Sequence, residues 1–185
     1  MASTGHVIEN PLSGEQIVIR TTADETGGSE LVWELTLAPG GRVPSSHAHP
    51  QQEERFTVLD GTMKFRVGWR SVTAGAGETV RIRPGTVHHF ANAGPGPAHM
   101  LVSTRPALAM EELLETAAAL ARDQHAAARA LPRPLELALF MRDFEAEVKA
   151  PYLPAALVRI VTRPLAWLAR WRGLDARYRR LRQRD

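Results

Sequence analysis

The sequence predicts an all-β body, read as a sandwich, jelly roll or barrel, followed by an α-helical extension. Three observations carry this reading. Up to about Arg105, short stretches of alternating apolar and polar residues recur between turns rich in glycine and proline. From Ala107 the apolar positions repeat at helical spacing and alanine becomes abundant. The charge divides as well. Between Ala155 and Asp185, nine arginines stand against Asp175 and Asp185, a local +7, so the rest of the chain carries −4 of the net +3. At 185 residues and 20.4 kDa the chain suits one domain with a large extension, or two small ones, and we place the boundary between 1–106 and 107–185.

The elements follow in order. Leu31 to Ala38 alternates, with Trp33, Leu35 and Leu37 on one face and Glu34 and Thr36 on the other, and Pro39-Gly40-Gly41 turns the chain. Glu54 to Asp60 forms the next strand, with Phe56 and Val58 on the side of Glu54. Asp60-Gly61 is a hairpin signal leading into Thr62 to Val67, where Met63, Phe65 and Val67 alternate with Thr62, Lys64 and Arg66. Further strands are predicted at Ser71–Thr73, Thr79–Ile82, Val87–Asn92 and Ala98–Thr104. In the extension, Met110 to Asp123 places Leu113, Leu114, Ala117, Leu120 and Ala121 at helical spacing. Leu131-Pro132-Arg133-Pro134 interrupts it. A second helix is predicted over Leu135–Lys149, with Leu135, Leu139 and Val148 among its apolar positions. A third spans about Ala155–Arg172, bent or restarted at Pro164 and closed by Gly173.

The chemistry-bearing residues are His47, His49, Glu54 and His88. A His-x-His pair in extended chain turns both imidazoles to one side, because side chains alternate with period two. Two imidazoles, a carboxylate and a third imidazole from a distant strand make a ligand set for a first-row transition metal. The chain has no cysteine, so a thiolate site and a disulfide framework are both excluded and nitrogen and oxygen must hold any metal. Glu53 adjoins Glu54 and His89 adjoins His88, so one residue of slip would exchange either pair; the spacings to Gly61 and Asn92 favour Glu54 and His88. His6, His99 and His125 stand alone and read as surface or satisfied-core residues.

The pattern Gly41-x5-His47-x-His49-x4-Glu54-x6-Gly61 fits the first motif of the cupin superfamily at every fixed position. Gly77, then Pro84-Gly85-x2-His88-x3-Asn92, resembles the second motif. It departs once, since Arg83 stands where the pattern usually has proline. Over roughly residues 30–105 the chain therefore resembles a cupin, which implies a double-stranded β-helix of jelly-roll type. The resemblance also implies that His47, His49, Glu54 and His88 hold one divalent metal, which could be iron, manganese, nickel, copper or zinc. Positions left open on it would serve water, oxygen or substrate.

Among the chemistries this resemblance implies, a dioxygenase-type oxidoreductase acting on a small organic substrate is preferred. Glu54 is then both a ligand and the candidate catalytic base. The alternatives are a metal-dependent isomerase or decarboxylase, and a non-catalytic module that binds a small molecule as a sensor. Met1 to Pro11 shows no basic and apolar leader, which makes the cytoplasm the expected location. Homodimerisation is common among cupins and expected here. In the tail, Leu157, Val161, Leu165, Leu168 and Trp171 can share one helical face with Arg159, Arg163 and Arg170 on another. That arrangement fits either peripheral contact with an anionic membrane or packing on the barrel or a second copy. Nucleic acid is not an expected partner, since Arg177 to Arg184 carries no interleaved aromatic beyond Tyr178.

Overall fold

Alternating sequence produces strands with one dry face, and two sheets here turn those faces toward each other. The computed structural model describes residues 3–43, 45–127, 133–151 and 153–182. Its strands are β1 (Val7–Asn10), β2 (Glu15–Thr21), β3 (Leu31–Leu37), β4 (Glu53–Asp60), β5 (Thr62–Val67), β6 (Arg70–Gly75), β7 (Thr79–Ile82), β8 (His88–Asn92) and β9 (Ala98–Arg105). The larger sheet has the order β1-β2-β3-β9-β4-β7 and the smaller the order β6-β5-β8. Neighbouring strands run antiparallel throughout, so the body has the expected two-sheet, jelly-roll form.

The core joins the two sheets. Phe56 of β4 lies across the interior from Phe65 and Phe90 of β5 and β8, with ring centroids 5.4 and 5.1 Å away. Leu31, Trp33, Leu35 and Leu37 are all buried, as their alternation predicts. Each large apolar side chain so buried contributes roughly 1.5–3 kcal/mol relative to an exposed one. Gly61 closes the β4–β5 hairpin with φ +83°, and a Cβ there would lie 2.9 Å from the Ala98 Cα, so only glycine fits. Asn92 clamps the end of the barrel away from the histidines. Its Nδ2 donates to the carbonyls of Leu37, Ala38 and Gly96, and its Oδ1 accepts from Gly94 N–H.

Two strands, β1 and β2, precede the first one the sequence reading named. In β2 Ile17 and Ile19 are buried, but the apolar Val18 between them blurs the alternation, a short signal that pairing with β3 completes.

The extension holds α1 (Met110–Ala126), α2 (Pro134–Asp143), α3 (Ala155–Trp171) and α4 (Leu174–Arg182). The Leu131-Pro132 part of the predicted break, and Arg184 and Asp185 at the end of the tail, lie outside the described residues. Ala107, Met110, Leu113, Ala118 and Phe144 join the barrel core, so apolar packing is continuous across residue 106. A smaller cluster of Leu139, Ala166, Ala169 and Tyr178 binds α2, α3 and α4 together.

Two expectations for the helices are corrected. The second helix does not reach Lys149; it stops at Asp143, because Phe144 enters the barrel core and Lys149 pairs its backbone with Ala48. Of the bend or restart expected at Pro164, the restart is excluded, because the third helix runs through it; the missing N–H falls on an exposed side where the carbonyl it would have bonded can meet water. The five apolar residues that can share one face of that helix divide between half-buried and exposed positions. α3 packs through Ala166 and Ala169, with Leu165 and Leu168 half-buried, while Leu157, Val161 and Trp171 face solvent. Alanines let the helices approach closely, and that approach sets which side is inside. No helix among the described residues is long and apolar enough to cross a membrane.

Candidate metal centre

Residues 42–43 and His47 pair with β8 from outside the regular strands. Val43 N–H donates to Phe90 C=O, and His47 and His88 exchange both backbone hydrogen bonds, at 3.0 and 2.8 Å. Directly opposed residues in an antiparallel pair project to the same face. The His47 and His88 rings accordingly lie 4.5 Å apart, and period two brings the His49 ring to 4.9 Å from His47. One ring nitrogen of each of the three imidazoles lies within 4.8 Å of the others, so the three could hold a metal ion.

Glu54 reaches the same place from the larger sheet, through the face of β4 that also carries Phe56 and Val58. Its Oε2 lies 3.3 Å from His49 Nε2 and 3.0 Å from His88 Nε2. Thr104 of β9, paired with it in register, donates to its Oε1 at 3.5 Å. The structure thus brings all four sequence-selected residues together. Their sequence neighbours are elsewhere. Glu53 pairs outside with Arg55 and Arg81, and His89 Nδ1 meets the Ser46 hydroxyl at 2.9 Å. His6 and His99 pair with Glu115 and Glu34, and His125 is exposed.

The outer contacts fix which nitrogen is free. His47 Nδ1 donates to Ser45 C=O at 3.0 Å, His88 Nδ1 to Thr86 C=O at 3.1 Å, and His49 Nδ1 to Glu147 C=O at 2.6 Å. A carbonyl only accepts, so each Nδ1 carries its proton and each Nε2 keeps its lone pair. Buried His49 Nε2, His88 Nε2 and Glu54 Oε2 make no hydrogen bond within the protein. Buried acceptors without donors are costly, and a cation among them removes the cost. The donor set therefore fits a divalent metal held by nitrogen and oxygen.

Electrostatics agree. Burial opposes the Glu54 carboxylate, but His49 and His88 beside it outweigh that and hold it down at about 2. Burial, reinforced by His88 and His49, pushes the half-buried His47 down to about 4. Burial works against a charged His88, but the Glu54 carboxylate outweighs it and raises the imidazole above its ordinary value.

Sequence reading missed the part played by the extension. Residues after α2 return to the barrel mouth, where Lys149 N–H donates to Ala48 C=O at 2.9 Å and Ala48 N–H to Lys149 C=O at 3.3 Å. The buried Glu147 gives His49 its carbonyl, and its Oε1 accepts Ala109 N–H at 3.2 Å at the start of α1. A backbone carbonyl leaves no mark in sequence. Thr104 could have been found, since it shares parity with the buried Met100 and Val102 on β9.

Comparison with known proteins now decides the family. Residues 33–104 match the model of the Cupin domain. This part of the chain is a cupin domain. Among solved structures, a predicted oxalate decarboxylase from Thermotoga maritima shares 21% identity and a TM-score of 0.50, covering 56% of this chain and 92% of that one. A sugar phosphate isomerase of the cupin superfamily from Silicibacter pomeroyi shares 23% identity and a TM-score of 0.44 over 50% of this chain and 59% of that one. The nucleoside dehydratase Pac13 of Streptomyces shares 17% and a TM-score of 0.46, over 56% and 77%. No curated protein sequence matches the chain. At such identities the likeness is one of fold, so this cupin's chemistry must be argued from its own residues.

Proposed function

We propose that His47, His49, His88 and Glu54 hold one divalent transition metal, and that this cupin is a metal-dependent oxidoreductase of dioxygenase type, acting in the cytoplasm on a small organic substrate. The observation that carries this reading is the convergence of buried acceptors whose donors are all turned away toward backbone carbonyls. A metal bound there would supply Lewis acidity and one-electron chemistry that the side chains lack. The protein's own share is to orient the three imidazoles, shield them with Phe56, whose ring lies 6.3 Å from that of His88, and offer Glu54 Oε2 as a proton acceptor.

An isomerase or decarboxylase working by proton transfer needs an acid and a base set apart from each other. Among the described residues of the barrel, the fully buried titratable side chains are His49, Glu54 and His88, all inside the cluster itself, and the buried Glu147 at the mouth has its carboxylate engaged by Ala109 N–H. Both tyrosines belong to the extension, and the one lysine of the barrel, Lys64, is exposed. This inventory supports chemistry centred on a metal. The test is oxygen uptake by metal-loaded protein against a panel of catechols, flavonoids and diketones. Uptake with any of these supports the reading. Silence with tight ligand binding would make the barrel a sensor, and substrate loss without oxygen consumption would make it an isomerase or decarboxylase.

Metal affinity should depend on pH in one direction. Binding needs neutral imidazoles and an ionised Glu54. Glu54, held at about 2, and His47, held at about 4, already meet this at neutral pH. His88, whose imidazole the Glu54 carboxylate raises, is the last of these three groups to reach its binding form as the pH rises, so binding below its raised value releases a proton. Titration calorimetry in buffers of different ionisation enthalpy should show that release. Affinity should fall by about tenfold per pH unit below the His88 value and level off above it.

A further inference from the structure

The outer side of α3 combines two features that a solvent-facing helix rarely needs together. Trp167 and Trp171 are 67% and 72% exposed, and Leu157, Ile160 and Val161 are 48%, 70% and 52% exposed. At about 100° per residue, these side chains and Pro164 form one continuous apolar stripe along the helix. Arg159, Arg163 and Arg170 line one border of that stripe, all exposed, and α3 contains no acidic residue. The opposite side packs on α2 and α4 through Ala166 and Ala169, so the helix is held with this face outward.

We infer that this face docks on the surface of an anionic lipid bilayer, with α3 lying parallel to the membrane. The charges choose this occupant. Tryptophan and aliphatic side chains enter the boundary between headgroups and acyl chains, while arginines at the border meet lipid phosphates. A second copy using the same face would bring arginine against arginine with no acidic complement on either helix. Nucleic acid would satisfy the arginines but leave the apolar stripe unmatched, and Tyr178, the aromatic of the neighbouring basic helix, is buried rather than available for stacking. Arg159 also bonds Glu145 at 3.0 Å, an exposed pair that tethers the helix without neutralising Arg163 or Arg170.

The full-length protein should cosediment with vesicles of phosphatidylcholine and phosphatidylglycerol at low salt. Recovery should be weaker with pure phosphatidylcholine and should fall as salt is added. The double variant Trp167→Ala/Trp171→Ala should lower partitioning roughly tenfold or more. Arg163→Glu should weaken binding to the anionic vesicles only. All these side chains are exposed, so each variant should keep the melting temperature of the parent, which checks that folding is not the cause. Equal recovery in the supernatant with and without vesicles would overturn the inference. So would a stable dimer in sedimentation velocity that the tryptophan variant dissociates, since the face would then join two copies of the chain.

Discussion

His88→Ala is expected to abolish stoichiometric metal binding, lowering affinity roughly 100-fold or more, and to remove turnover with it. His88 is fully buried and its Nε2 stands 3.0 Å from Glu54 Oε2, so no water replaces it without rearrangement. The substitution also leaves the carboxylate with only His49 and the Thr104 hydroxyl as close partners within the barrel. Metal analysis of protein prepared without a histidine tag provides the first readout. The second is thermal: a ligand at 100 times its Kd stabilises the folded state by about 2.7 kcal/mol, and the variant should lose that metal-dependent rise. Full metal retention by His88→Ala would show that the ligand set lies elsewhere.

Lys149→Pro is expected to weaken metal binding about 10–100-fold although residue 149 is no ligand. Proline removes the N–H that bonds Ala48 at 2.9 Å and disfavours the pairing that holds Glu147 C=O against His49 Nδ1. Without that carbonyl, His49 can change tautomer and turn its lone pair away from the cluster. Loss of packing alone is separated by Leu113→Ala, which opens the same core from α1 without touching this segment. Leu113→Ala should lower the melting temperature and leave metal affinity near that of the parent. If both variants weaken metal binding equally, the carbonyl of Glu147 has no special part in positioning His49.

Much of the site was legible because its geometry is local. His47 and His49 share a side by strand periodicity, and the same parity separates Glu54 from Glu53 and His88 from His89. Partners set by distant packing were not legible. The end of α2 carries no glycine or proline to stop it; Phe144 leaves the helix because the barrel core takes it. Leu157, Val161 and Trp171 share a helical face by spacing, which does not say whether that face is wet or packed; Ala166 and Ala169 form the packed side because small residues allow the closer contact.

The sequence by itself determined the strand alternation, the turn glycines and the identity of the four candidate ligands, since each rests on residue type and a period of two or a few positions. Tertiary structure decided that the helical extension completes the barrel mouth, and which side of α3 stays wet. Those outcomes depend on backbone carbonyls and on competition between faces for the same core, and both arise only when segments about 100 residues apart in the chain come into contact.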